Sequence, residues 1–312
     1  MRKLIGILFV SMIGLAGGFS QESTGTNQIE IVWSVPTNHL PASVLVYKFV
    51  PQNFSPAVVS NLMALGSFTI KDQINLNGQP PLSQYFKNKD GTRELGIIPT
   101  FGYVYYHDST SQYKVREMPV GVPSDEEAYQ LGLQYIQKLG IDRSQLTTVG
   151  DSSELRVVKT FQRTGWFDKE KGTNIENITM RGVFFIRRVN GVDFDNINHG
   201  GVNFEFRNHG QISRLEFLWK GLEQYQLRST LTADQLIEEL RTGKGKWMQS
   251  GPGPVIKKIT IYEVQQLYHG VREDDEEHKF LEPFIRLETH VDNGSTNIVA
   301  DFDCPIIDET KP

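Results

Sequence analysis

Cysteine is all but missing from this chain. Cys304 is the single example, so no intramolecular disulfide can form and stability has to come from burial. Basic runs are missing as well. The 32 Lys and Arg side chains are scattered among 37 Asp and Glu, giving a net charge of -5. No stripe of cations tracks a phosphate backbone, which argues against nucleic acid as a partner. His199-Gly200-Gly201 is a glycine-rich turn of the kind some esterases use, yet the chain has no Gly-x-Ser-x-Gly nucleophile elbow to go with it. The seven histidines, His39, His107, His199, His209, His269, His278 and His290, have no H-E-x-x-H or similarly close spacing. Metal catalysis therefore lacks a ligand set, and no cofactor is expected. Low-complexity tracts and short repeats are absent.

The apolar run at 4–15 falls short of the roughly 20 residues that a membrane span needs. It follows Arg2 and Lys3 and leads into small residues, which is the pattern of an export signal. Cleavage fits after Gly18 or after Ser20, and no cysteine follows to take a lipid anchor. Residues 1–20 are accordingly read as a signal peptide. The protein is expected to be exported to the periplasm, the exterior or the outer face of the cytoplasmic membrane, with no stable span once the signal is removed.

The remaining length suits two domains, 21–120 and 121–312, with the boundary in the proline-bearing stretch 118–123. In the first, 29–33, 44–50 and 95–106 read as strands. Ser55, Pro56 and Gly66 punctuate a helix, and 73–90, rich in Asn, Gln, Pro and Lys, reads as an exposed connection. In the second, Ser124 with Glu127 forms a capping box ahead of Ala128, Leu131, Tyr135 and Leu139, and Gly140 closes that helix. Thr232 with Gln235 opens another helix on Leu236, Ile237 and Leu240. Strands are expected at 155–166, 175–190 and 256–268, the last with a slip in its alternation near Glu263.

Two hairpins are the clearest signals. Val202, Phe204 and Phe206 alternate with Asn203, Glu205 and Arg207, and after Asn208-His209-Gly210-Gln211 the residues Leu215, Phe217 and Trp219 alternate with Arg214 and Glu216. In the other, Ile285, Leu287, Thr289 and Val291 share a face with Ile298, Ala300, Phe302 and Cys304 across the turn 292–295. That parity makes Cys304 a buried thiol. It leaves Arg286, Glu288, His290, Asp301 and Asp303 on the opposite face.

The expected fold is therefore α+β, with antiparallel sheets each packed by a helix. The second domain divides into two helix-plus-sheet units, 124–219 and 232–304.

Arg187-Arg188-Val189-Asn190-Gly191-Val192, Gly201-Val202-Asn203-Phe204-Glu205-Phe206 and Gly210-Gln211-Ile212 resemble the core of PepSY-like exported domains, in which an R-x-x-N-G turn precedes two strands. The strand 259–268, the acidic loop, Leu281-Glu282-Pro283-Phe284-Ile285-Arg286 and the last hairpin resemble the closing part of YycI/YycH-type extracytoplasmic regulators. The resemblance covers 124–304 on short motifs. It implies a cystatin-like helix on an antiparallel sheet and a non-enzymatic role in binding or restraining another protein outside the cytoplasmic membrane. Those regulators carry a membrane anchor, whereas the signal here looks cleavable.

Chemistry-bearing clusters are few. Glu273-Asp274-Asp275-Glu276-Glu277-His278 lacks the alternation and glycine of a calcium loop and reads as a solvated connection. Glu288, Asp301 and Asp303 could pair as general acid and base, since crowded carboxylates push their pKa values apart. Trp247, in a Lys-Gly-Lys-Trp loop, and Tyr268 are the aromatic residues expected to meet a partner. The expected function is that of a non-catalytic binding or regulatory protein of the cell envelope, acting by contact with an envelope protein or peptide. The alternatives are an envelope hydrolase using Glu288, Asp301 and Asp303, or a glycan-binding module.

Overall fold

The computed structural model describes residues 29–36, 40–76, 78, 80–111, 118–150, 152–195, 200–248, 256–269 and 279–309. The export signal, His39, His199 and the acidic run 273–278 lie outside the described residues. The chain gathers into two compact units, each assembled from separated stretches. One draws on Met1–Ala42, Ser229–Gln265 and Phe284–Lys311, the other on Ser43–Arg228 and Gln266–Pro283.

The larger unit is built on an eight-stranded antiparallel sheet. Its spatial order is Gln73–Ile74, Gln84–Lys87, Arg93–Ile98, Tyr103–Asp108, Ile212–Leu218, Gly201–Phe206, Thr173–Ile186 and Val157–Asp168. The hairpin read at 202–219 is at its centre, with Phe204 opposite Leu215 and both Val202 and Phe204 fully buried. Gly210 takes φ 67°, and His209 beside it is held at φ 56°, a left-handed conformation that non-glycine residues rarely adopt.

Two helices supply the apolar partner that this sheet needs. Helix α1 (Pro56–Leu65) begins where the Ser55 hydroxyl accepts from the Val58 amide at 3.3 Å and proline occupies the first turn. Helix α2 (Asp125–Lys138) begins in the expected reciprocal box. The Glu127 amide donates to the Ser124 hydroxyl at 3.2 Å, and the Ser124 amide donates to the Glu127 carboxylate at 2.8 Å. A Cβ on Gly132 would stand 2.7 Å from the Phe185 ring and 2.8 Å from a Val183 methyl, so glycine at this point lets α2 lie close on the sheet. Beneath it Tyr135 stacks on Phe204 and Phe206 at 5.6 and 6.1 Å. Each fully buried phenylalanine here contributes roughly 1.5–3 kcal/mol. A second cluster of Tyr47, Phe184, Ile186, Phe194, Tyr268 and Leu281 lies in the same unit. The unit also contains a three-stranded sheet ordered Gly221–Ser229, Ser43–Val50, Phe280–Leu281.

In the other unit Lys246–Trp247, Asn297–Pro305, Pro283–Asp292 and Lys258–Tyr268 are neighbours in that order. Glu30–Trp33 adds to Lys258–Tyr268 in parallel, with Ile31 opposite Ile259. Helix α3 (Ala233–Arg241) has the expected Thr232–Gln235 box, buries Leu236 and Leu240, and touches Glu30–Trp33 and Asn297–Pro305. The alternation of Lys258–Tyr268 does break at Tyr262 and Glu263, which are both exposed.

These findings correct the expected fold class. Of the described residues 50% are strand and 19% helix, and they do not form cystatin-like antiparallel sheets with one helix apiece. Of the three α-helices among the described residues, two share one sheet, and the parallel addition of Glu30–Trp33 makes another sheet mixed. The physical reason is that short strands such as Gln73–Ile74 and Gln84–Lys87 join by backbone hydrogen bonds, which leave little trace in side-chain periodicity. The stretch 73–90, read as an exposed connection, thus buries Tyr85 and Phe86. At 118–123, Val120 donates its amide to the Asn208 side chain at 2.7 Å and accepts from the His209 amide at 3.1 Å, and residues on both sides belong to the larger unit.

Candidate functional site

The carboxylates singled out in the sequence come together on the final hairpin. Its register sets Arg286 opposite Asp303, Glu288 opposite Asp301 and His290 opposite Val299. Asp303 is not a free acid. Arg286 grips it with two bonds of 2.8 Å, and its residue is only 4% exposed. Glu288 is different. Burial raises its pKa above the ordinary carboxylate value, and the charges of Glu263 and Asp301 push it further. The Tyr262 hydroxyl bonds to Glu288, and the Tyr262 ring lies 4.6 Å from that of His290. Glu288 can therefore hold a proton beyond the usual carboxylate range. Tyr262, Glu263 and His290 are exposed, so the group stays open to water.

The two aromatics expected to meet a partner are placed otherwise. Trp247 belongs to a short strand, is half-buried, and meets the Phe302 ring edge-on at 5.1 Å. Tyr268 is 1% exposed. Its hydroxyl donates to the Leu45 carbonyl at 3.2 Å, its ring packs against Tyr47 and Phe194, and burial raises its pKa. It fills a core and presents no surface.

Cavities open on the larger unit along α1 and at the start of α2. The first, of about 560 Å³, lies along α1 and is lined by Phe54, Pro56, Val59, Met63, Phe68 and Gln84, among others. Chain segments beside it carry Ile70, 72% exposed, and Leu82, 76% exposed and held at φ 64°. A left-handed leucine costs roughly 1–2 kcal/mol, and here its side chain is spent on solvent. α1 is apolar almost all round. Leu62 enters the core while Val59 and Met63 face the groove. That all-round apolarity was the readable sequence signal for this site. The second cavity, of about 400 Å³, lies at the start of α2 between Glu126, Gln130, Leu131 and the strained His209.

One further group is chemically unusual. Arg187 is buried between the rings of Trp219 and Phe194, at 4.6 and 5.7 Å, and donates to the Lys220 carbonyl at 2.8 Å. Burial pulls its pKa down to about 9, and its Nε meets no acceptor among the described residues. The aromatic faces stand in for a counter-ion, which makes the group a structural plug in the R-x-x-N-G segment.

The sequence matches no family model and no curated protein. Among solved structures it is similar to an uncharacterized protein from Eubacterium rectale ATCC 33656, at 10% sequence identity and a TM-score of 0.44, over 88% of this chain and 85% of that one.

Proposed function

We propose that the protein is an exported, non-catalytic binding protein of the cell envelope that acts through protein–protein contact, with the groove along α1 receiving apolar side chains of an envelope protein. The observation that carries this reading is the groove itself. Some 560 Å³ lined by Phe54, Val59, Met63 and Phe68 is room for one or two large side chains, and buried aromatic or aliphatic anchors dominate such contacts. Ile70 and Leu82, each two residues along the chain from a lining residue, are exposed apolar side chains as well.

A photo-crosslinking side chain at position 59, installed in the producing cell, tests the reading. A discrete adduct with an envelope protein, lost when Met63→Lys is added, is the expected result. Adducts that persist unchanged in the Met63→Lys background, or the absence of any adduct, would dismiss the groove. N-terminal sequencing of the mature protein checks export independently, with a start after Gly18 or Ser20 expected.

A further inference from the structure

The strand Val157–Asp168 closes one side of the eight-stranded sheet and pairs with no other strand along its outer edge among the described residues. It is twelve residues long, contains no proline, and exposes Lys159, Thr160, Phe161, Gln162 and Arg163 in succession. An open edge of this kind offers a row of backbone donors and acceptors to any extended chain that can lie beside it.

The charge around that row is one-sided. Phe161, 51% exposed, lies under two guanidinium groups, with Arg163 at 4.6 Å and Arg181 at 5.6 Å. Lys159 is the next residue of the same parity. Of these three cations, Arg163 is offset by Glu176 at 3.7 Å, a loose and exposed contact, and Arg181 by Asp125 at 2.9 Å. Three cations against two carboxylates leave the patch positive on a chain whose net charge is -5.

A second copy of the same strand is a poor occupant. Antiparallel pairing centred on Phe161 would bring Lys159 of one copy opposite Arg163 of the other, and like charges directly opposite are destabilising.

We infer that this edge accepts an extended acidic segment of a partner protein as a further antiparallel strand. The partner's backbone pairs with Val157–Asp168, its carboxylates lie against Lys159 and Arg163, and an apolar residue covers Phe161. The register of the pair slips between Gln162 and Arg163, where Thr179 is the extra residue on the inner strand Thr173–Ile186, so the edge strand itself carries no bulge. This inference does not depend on the groove along α1.

The test uses the full chain and two labelled decapeptides that alternate Thr and Val with either Glu or Lys. Fluorescence anisotropy is expected to register binding of the Glu peptide, weakened about tenfold by Lys159→Glu with Arg163→Glu and by raised salt, with no binding of the Lys peptide. Hydrogen exchange in Val157–Asp168 should slow on adding the Glu peptide, a readout that simple charge attraction would not move. Lys159 and Arg163 are exposed, Met63 is half-buried, and circular dichroism verifies that each variant folds. Equal binding of both peptides, unchanged affinity in the double variant, or binding without slowed exchange would overturn the inference. So would a concentration-dependent dimer that the double variant abolishes while no peptide binds, since the occupant would then be a second copy. Binding of the Glu peptide that survives Met63→Lys separates the fate of this edge from that of the groove.

Discussion

Glu288 sits where its own charge is unwelcome, opposite Asp301 and near Glu263. Its folded pKa lies above the ordinary carboxyl value of 4.5, so the folded chain binds this proton more tightly than the unfolded chain does. The penalty for ionising it is absent below pH 4.5 and enters as pH rises through the folded value, which lowers stability toward neutrality. Glu288→Gln should therefore raise the urea midpoint at pH 7, by the equivalent of roughly 0.2–1 kcal/mol for a relieved like-charge pair, and change little near pH 4. Equal gains at both pH values would show that the charge is not the cause. Cys304 makes a contrasting case. It is 1% exposed, and burial pushes its thiol up to about 12. Iodoacetamide at about pH 8 should leave it untouched in the folded protein and alkylate it rapidly in denaturant. Strand parity alone had placed this thiol inside, whereas Tyr268, also on a patterned strand, gave no sign of its burial. Its strand covers two environments, and the ring packs against Tyr47 and Phe194 from remote parts of the sequence.

At the scale of elements, helix starts were the most legible features, because a cap is a local hydrogen-bonding arrangement written within four residues. Helices α1, α2 and α3 begin where Ser55, Ser124 and Thr232 said they would. What a helix touches is not local. Gly132 reads as a mild helix weakener, and on an open helix Gly→Ala would stabilise by about 1 kcal/mol. Here the added methyl would meet Phe185 and Val183, so Gly132→Ala is expected to cost about 1–3 kcal/mol in denaturant unfolding. A stabilising effect would mean that α2 stands further off the sheet. The long ribbon of Val157–Asp168 and Thr173–Ile186 was legible as two strands. That among the described residues only 181–186 of the second strand pairs on its other side, and that the first is an edge, depends on Gly201–Phe206 and could not be read from either strand.

At the scale of the whole molecule, each compact unit draws on stretches far apart in the chain. Leu281 shows the consequence. It is 1% exposed, pairs with Tyr47, and fills a cluster with Phe184 and Tyr268. Leu281→Ala should cost about 2–5 kcal/mol. The faster hydrogen exchange should appear in Ser43–Val50, far earlier in the sequence, which mass spectrometry of the exchanged protein would detect. Exchange that quickens only around 280–281 would mean that the pairing contributes little.

By itself the sequence determined the helix starts and, for the two hairpins, the turns and the inward apolar face. These depend on capping groups, turn residues and alternation, all settled within a few residues. The three-dimensional structure alone decided that Glu30–Trp33 runs parallel to Lys258–Tyr268, that the polar stretch at 73–90 supplies sheet strands, and that α1 keeps one apolar side open. Strand pairing is a contract between backbones, and the openness of a surface is a statement about what does not cover it. Neither is a property of any one stretch of residues.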